Sequence, residues 1–211
     1  MKNNNIPLEG LYCIITEQFC GGRTAVETAS ELIKAGVKII QYREKDKSRR
    51  GKYLDCVKIR ELTKTAGVCF IVNDDVDIAL AVKADGVHIG QDDMPLEAVR
   101  TLVEGKMMIG LSTTCPKEAL DGVAKGADYI GVGPIYPTQT KASVAVGLEY
   151  LDFVAKNIKI PFVAIGGIKL HNLDEVLRHG ARCVSLITEI VSFPDISERV
   201  NKVRKILSTI W

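Results

Sequence analysis

Two groups of polar residues in this 211-residue chain could do chemistry. The first is Asp74 with Asp93, accompanied by the stretch Arg43-Glu44-Lys45-Asp46. A hard divalent cation such as Mg2+ takes one or two carboxylates and fills its shell with water and substrate phosphate oxygens. Arg43 and Lys45 beside such a cation would suit a diphosphate, the guanidinium as a planar fork and the ammonium as a point charge. The same aspartates read equally as helix N-caps, which is the expectation for Asp75 and Asp92, and the 43–46 stretch reads also as a solvated loop. The second group is Gly166-Gly167 with Ile187-Thr188. Glycine lets a backbone approach an anion closely, and N–H groups at a helix start can hold a phosphate; a plain strand-to-helix turn has the same sequence. Between the groups, Thr138-Gln139-Thr140-Lys141 opens a polar loop reaching about Val146, either a lid with hydroxyl and ammonium donors or a simple connection. No Ser/His/Asp arrangement is evident. His88 is expected to pack within a strand, and His171 and His179 to lie exposed on the seventh helix.

Something must bring these residues together, and the chain carries a repeat that would. Eight short β-branched runs recur, all but one ending in Gly, Asp, Ser or Thr and most followed by an amphipathic stretch. They are 11–16, 37–43, 68–74, 86–90, 107–112, 129–133, 162–166 and 182–188. Continuous apolar runs of this length are the pattern of parallel strands buried on both faces. Helices are expected over 24–35, 50–66, 116–125 and 195–209, from apolar spacings of three and four. Several helix ends repeat a cation followed by Gly, as in Lys34-Ala35-Gly36, Lys83-Ala84-Asp85-Gly86, Lys125-Gly126-Ala127-Asp128 and His179-Gly180. A cation suits the helix C-terminus and Gly allows a left-handed exit. Eight units of about 26 residues imply an α/β fold, a single-domain (β/α)8 TIM barrel over 1–211. The polar list then falls where a barrel places its chemistry, at the strand C-termini. An open dinucleotide-binding sheet is disfavoured, because Thr16-Glu17-Gln18-Phe19 follows the first strand where a glycine-rich fingerprint would stand.

Composition excludes several classes. A hydrophobic content of 46% with a net charge of only +2 argues against disorder. The basic residues are mixed with acids, so nothing marks a nucleic-acid surface. No apolar run is long enough to span a bilayer, and the Asn-rich start has no signal-peptide core; a cytoplasmic protein is expected. The six cysteines include no C-x-x-C, and Cys13, Cys69 and Cys183 lie in strand-like runs, so reduced structural thiols are expected. The outer helices of a barrel leave room for a homo-oligomer without specifying one.

Five segments together resemble the thiamine-phosphate synthase family. They are Gln41-Tyr42-Arg43-Glu44-Lys45-Asp46, Val72-Asn73-Asp74, residues 84–95, residues 126–141 and Ala164-Ile165-Gly166-Gly167-Ile168. They occur in the family's order and span nearly the whole chain. The resemblance implies a Mg2+-dependent transferase, moving a non-methyl alkyl group in thiamine biosynthesis. It would join 4-amino-5-hydroxymethyl-2-methylpyrimidine diphosphate to a thiazole phosphate, giving thiamine phosphate and diphosphate. By that resemblance Gln41, Tyr42, Arg43, Glu44, Lys45, Asn73 and Ser112 would hold the pyrimidine diphosphate, and Asp74 and Asp93 would bind Mg2+. Thr138, Gln139, Thr140, Gly167, Ile187 and Thr188 would hold the thiazole phosphate, and Lys141 would reach the diphosphate. Arg43, Lys45, Ser112 and Lys141 would carry the catalysis. The chain departs from the family pattern at Thr114, where a His is frequent, at Thr188, where a Ser is frequent, and in the loop 141–147. The alternatives are a thiazole tautomerase or a non-catalytic thiazole-phosphate-binding relative; the retained Lys45, Asp74 and Asp93 speak against the tautomerase, and the departures at Thr114 and in the loop keep the non-catalytic reading open.

Overall fold

The computed structural model describes residues 8–138 and 144–209. Eight strands, β1 (Gly10–Ile15), β2 (Ile39–Tyr42), β3 (Cys69–Asn73), β4 (Gly86–Ile89), β5 (Met108–Thr113), β6 (Tyr129–Val132), β7 (Phe162–Ile165) and β8 (Cys183–Ser185), close into a barrel in sequence order. Every neighbouring pair is parallel, and β8 returns to β1 with Gly10 opposite Cys183. The expected runs sit on these strands within two residues, except the last. There the strand stops at Ser185, and Ile187-Thr188 begin a short helix, α8 (Ile187–Val191).

Both strand faces are buried, which is why the runs read as continuous rather than alternating. One face packs outward against the helices: Leu11, Cys13, Ile15, Phe70, Val87, Ile109 and Ile130 belong to the large outer core. The other face fills the barrel with Leu8, Tyr12, Ile14, Ile39, Cys69, Ile71, Met108, Tyr129, Val163 and Cys183. The helices α1 (Ala25–Lys34), α2 (Arg49–Ala66), α3 (Val76–Val82), α4 (Leu96–Val103), α5 (Pro116–Ala124), α6 (Gly147–Asn157), α7 (Leu173–Arg178) and α9 (Ile196–Leu207) cover the outside. Helix α1 starts on a capping box between Thr24 and Glu27. Helix α2 ends on Gly67 in the left-handed conformation, as its sequence suggests. In the third unit Lys83 itself takes the left-handed position (φ 54°), while Gly86 opens β4. Among the described residues no helix is long and apolar enough to cross a membrane. All six cysteines are free, and burial raises the thiol of Cys56 to about 12 and those of Cys13, Cys69 and Cys183 further still.

Barrel closure is secured at the N-terminal end by two aspartates from the repeated Ala-Asp step. The Asp85 carboxylate accepts the Phe70 N–H at 2.9 Å and a fork of two bonds from Arg60 at 2.7 and 3.1 Å. Asp128 likewise accepts the Ile109 N–H at 2.7 Å and Arg100 at 2.7 Å. Each therefore supplies a strand N–H with an acceptor where the ladder begins.

Within the packed interior, Gly110 marks a position where a side chain has no room. A Cβ at Gly110 would lie 2.1 Å from Tyr129 Cζ and 2.5 Å from His88 Nδ1. Gly110 is thus the space into which the Tyr129 ring fits. Gly110→Ala is expected to cost about 1–3 kcal/mol through overpacking, read as a lower denaturation midpoint with an unchanged m-value. A midpoint equal to the parent's would show that the tyrosine is not confined there.

Candidate active site

The C-terminal ends of the strands surround a cavity of about 860 Å³. Its floor is polar, because the inward positions change character along the strands. Towards the strand starts they are Ile39, Cys69, Met108 and Cys183, and towards the ends they are Gln41, Asn73, His88, Ser112 and Ser185. The alternation continues past the end of β2. Gln41, Arg43 and Lys45 line the cavity. Tyr42 instead faces the helix layer and donates to Asp55 on α2 at 2.9 Å, where the resemblance puts it on the pyrimidine diphosphate. Glu44 also turns away from the cavity, accepting the Glu17 N–H at 2.5 Å, and burial raises its carboxyl. Adjacent residues of an extended chain face opposite sides, so Tyr42 and Glu44, alternating with Gln41, Arg43 and Lys45, support β2 from behind.

On one wall, Asn73 and Asp74 end β3 and Asp93 follows β4. Asp74 lies in the left-handed region (φ 61°), a conformation that a short polar side chain tolerates better than most and that costs roughly 1–2 kcal/mol. Its N–H donates to the His88 carbonyl at 2.8 Å, fixing the turn. Lys45 forms an ion pair with the Asp74 carboxylate. Burial pushes the Asp74 carboxyl above the usual range, Lys45 opposes that shift, and the adjacent Asp93 carboxylate reinforces it. Two negative groups held this close in a partly desolvated site are a place for positive charge. Among the described residues no group of three or more potential ligands forms. A cation here would have two protein carboxylates and would take its other oxygens from water and substrate, which is the habit of Mg2+. Asp93 also accepts the Gly90 N–H at 2.7 Å, which ties its loop to the end of β4.

Asp75 and Asp92 are corrections. Asp75 stands at the N-cap position of α3 but makes no cap bond; its carboxylate takes Lys52 at 3.0 Å and Arg49 at 3.2 Å. Asp92 lies in a turn ahead of Pro95, the residue that precedes α4.

The opposite wall is made by Thr138, Gly166, Gly167, Ile187 and Thr188. Gly167 has φ 65°, and a Cβ there would stand 2.7 Å from the Pro137 carbonyl oxygen and 2.7 Å from Tyr136 Cβ. Gly167 lines the cavity, and glycine is needed there because any Cβ would collide with the 136–137 segment. Thr188 accepts from Lys169 Nζ at 2.7 Å, and Lys169 is paired with Glu189 at 3.4 Å. The resemblance names no Lys169, yet it places an ammonium beside the glycine turn; its position three residues past Gly166 on a cavity-edge loop was the available signal. Gln139, Thr140 and Lys141 lie outside the described residues.

Between the walls runs a chain of side chains of which the sequence singled out only the ends, Gln41 and Ser112, as site residues. Gln41 Nε2 donates to Tyr12 OH at 2.8 Å, Tyr12 OH meets Tyr129 OH at 2.9 Å, and Tyr129 OH meets His88 Nδ1 at 3.0 Å. His88 Nε2 then meets Ser112 Oγ at 2.9 Å. His88 is thus a working part of the floor, not packing alone. Two buried oxygens here, Gln41 Oε1 and Ser185 Oγ, have no partner among the described residues. His171 precedes α7, and His179 stands at its C-cap with Nδ1 2.6 Å from Asp152, both away from the cavity.

Comparisons with known proteins identify the family. Residues 11–190 match the family described as thiamine monophosphate synthase. A thiamine-phosphate synthase of Pelotomaculum thermopropionicum is 56% identical over 200 residues, covering 94% of this chain and 92% of the relative. One from Lawsonia intracellularis is 50% identical, covering 92% of this chain and 91% of its own. Among solved structures, a thiamine phosphate pyrophosphorylase from Pyrococcus furiosus superposes with a TM-score of 0.88 at 35% identity, covering 99% of both chains. With the barrel, the two-walled cavity and matches of this extent in hand, the chain belongs to the thiamine monophosphate synthase family.

Proposed function

We propose that this protein makes thiamine phosphate by joining the pyrimidine diphosphate to the thiazole phosphate across the barrel mouth. The observation that carries the reading is the pairing of two unlike walls in one cavity: Arg43, Lys45, Asp74 and Asp93 on one side, Gly167 and Thr188 on the other. The first suits a diphosphate with a divalent cation, and the second suits a monophosphate. The reaction breaks the bond between the pyrimidine methylene carbon and the diphosphate oxygen, which leaves with the electron pair. A new bond forms from the thiazole nitrogen lone pair to that methylene carbon, and the nitrogen becomes the cationic centre of the product. No proton has to be removed from the nucleophile.

Asp74 and Asp93 would hold Mg2+, which would offset charge on the departing diphosphate. Arg43 and Lys45 would bind the same oxygens, and the electron-rich aminopyrimidine would stabilise positive charge developing on its methylene. Ser112 and Asn73 would orient the pyrimidine, while Thr138, Gly167, Ile187 and Thr188 would seat the thiazole phosphate, with Lys169 as an added cation. Lys141, Gln139 and Thr140 complete the proposed set. The protein's main contribution is then to hold two substrates in line, an effect able to supply several kcal/mol of the barrier.

A coupling assay with both substrates across a Mg2+ titration tests this reading. Asp74→Asn and Asp93→Asn are each expected to lower kcat/KM by about 100-fold or more and to raise the Mg2+ requirement, with thermal midpoints close to the parent's. Parent-like rates at low Mg2+ in both variants would remove the metal assignment. For the opposite wall, Gly167→Ala is expected to weaken thiazole phosphate binding about tenfold, or about 1.4 kcal/mol, and pyrimidine diphosphate binding less. Calorimetry giving the reverse order would exchange the two sites.

A further inference from the structure

The floor of the cavity holds a buried carboxamide with one end committed and the other open. Gln41 is 1% exposed, its Nε2 donates to Tyr12 OH, and its Oε1 has no partner among the described residues. An orphaned buried acceptor costs about 1–3 kcal/mol unless something donates to it. The direction of the remaining bonds follows from that one amide. With Tyr12 OH accepting from Gln41, we assign the Tyr12 proton to the bond with Tyr129 OH, 2.9 Å away. Tyr129 OH, accepting there, gives its proton to His88 Nδ1, and a neutral imidazole that accepts at Nδ1 donates at Nε2. His88 Nε2 therefore donates to Ser112 Oγ, and the Ser112 proton is left for the cavity. Burial keeps both phenols protonated far above neutral pH, so each always has one proton to give.

We infer that Tyr12 and Tyr129 are positioning residues that lock Gln41 with its oxygen toward the substrate, and that they thereby select a ligand carrying an N–H donor, the exocyclic amine of the pyrimidine. The inference rests on the proposed function for the identity of that ligand. The selecting element is the Tyr12 proton. While Tyr129 takes it, Tyr12 can only accept from Gln41, and the amide must present Nε2 to it. If Tyr129 lost its hydroxyl, the Tyr12 proton would have Gln41 Oε1 as its acceptor, the amide would turn over, and Nε2 would face the substrate. A site that offers N–H in place of C=O prefers a carbonyl ligand over an amine.

The test compares 4-amino-5-hydroxymethyl-2-methylpyrimidine diphosphate with its 4-oxo counterpart, each coupled to the thiazole phosphate. The parent protein is expected to favour the amine by about 100-fold or more in kcat/KM. Tyr129→Phe is expected to narrow that preference at least tenfold, by losing amine turnover and gaining 4-oxo turnover. Tyr12→Phe removes the amide's anchor among the described residues and is expected to narrow it as well, with the double variant no further from the parent than the larger single effect. Thermal midpoints of all three report folding, and either single variant that folds decides the matter. An equal loss of both substrates with the preference intact would overturn the inference and leave the tyrosines as packing. A parent protein that prefers the 4-oxo compound would overturn it too, since the amide would then be reversed. Failure of the parent to couple the amine at all would instead strike the proposed function.

Discussion

The contact between the Tyr12 and Tyr129 hydroxyls, at 2.9 Å, lies where the barrel changes from packed interior to open cavity. A closed ring of eight parallel strands encloses a cylinder that only side chains can fill. Aliphatic groups from β2, β3, β5 and β8 fill its lower part. Two phenol rings fill the middle, and Gly110 is small because one of them needs its space. Rings of this size bury much apolar area, but their hydroxyls must then be satisfied away from water. Pairing them to each other meets that requirement and leaves one bond at each end of the pair. Those bonds go to Gln41 and to His88, so the solution to a packing problem also builds the polar floor.

Above that floor the two walls differ in how their charges are balanced. Asp74 has a cation on one side and a carboxylate on the other, and its carboxyl is raised despite the Lys45 ion pair. The lower end of the barrel has aspartates too, but Asp85 there meets a guanidinium fork and a backbone N–H together. The same residue type thus serves two ends of the same sheet. Below, every oxygen has a donor and the group closes the ladder; above, two carboxylates stand beside each other and the Asp74 carboxyl is raised.

Much of this was legible in the sequence. The strand runs and the helices over 25–34, 49–66, 116–124 and 196–207 follow from apolar period and capping, because strands buried on both faces leave a pattern that turns cannot imitate. Asp74 with Asp93 and Gly166-Gly167 with Thr188 were found because barrel chemistry sits after the strands, and the structure brings both groups to one cavity. Tyr42 and Glu44 were drawn toward the substrate by their neighbours in the motif. The period of two, which puts Gln41, Arg43 and Lys45 on one side, already argued against them. Ile187-Thr188 read as strand because a β-branched run has no internal stop, and only the closing of the barrel ends β8 at Ser185.

The chain from Gln41 to Ser112 was not legible, and the reason is physical. Its five residues come from β2, β1, β6, β4 and β5, separated by as many as 117 positions. Each alone looks like an ordinary strand residue: a tyrosine among aliphatics, a histidine beside a valine, a serine at a strand end. Only barrel closure sets β1 across from β6, and only the glycine in β5 lets the second ring reach the first. Local sequence determines which face each residue takes, but hydrogen-bond direction is a property of the whole ring. It is decided at one amide and passed from donor to acceptor around the floor, so a substitution at Tyr129 acts on Gln41 without touching it.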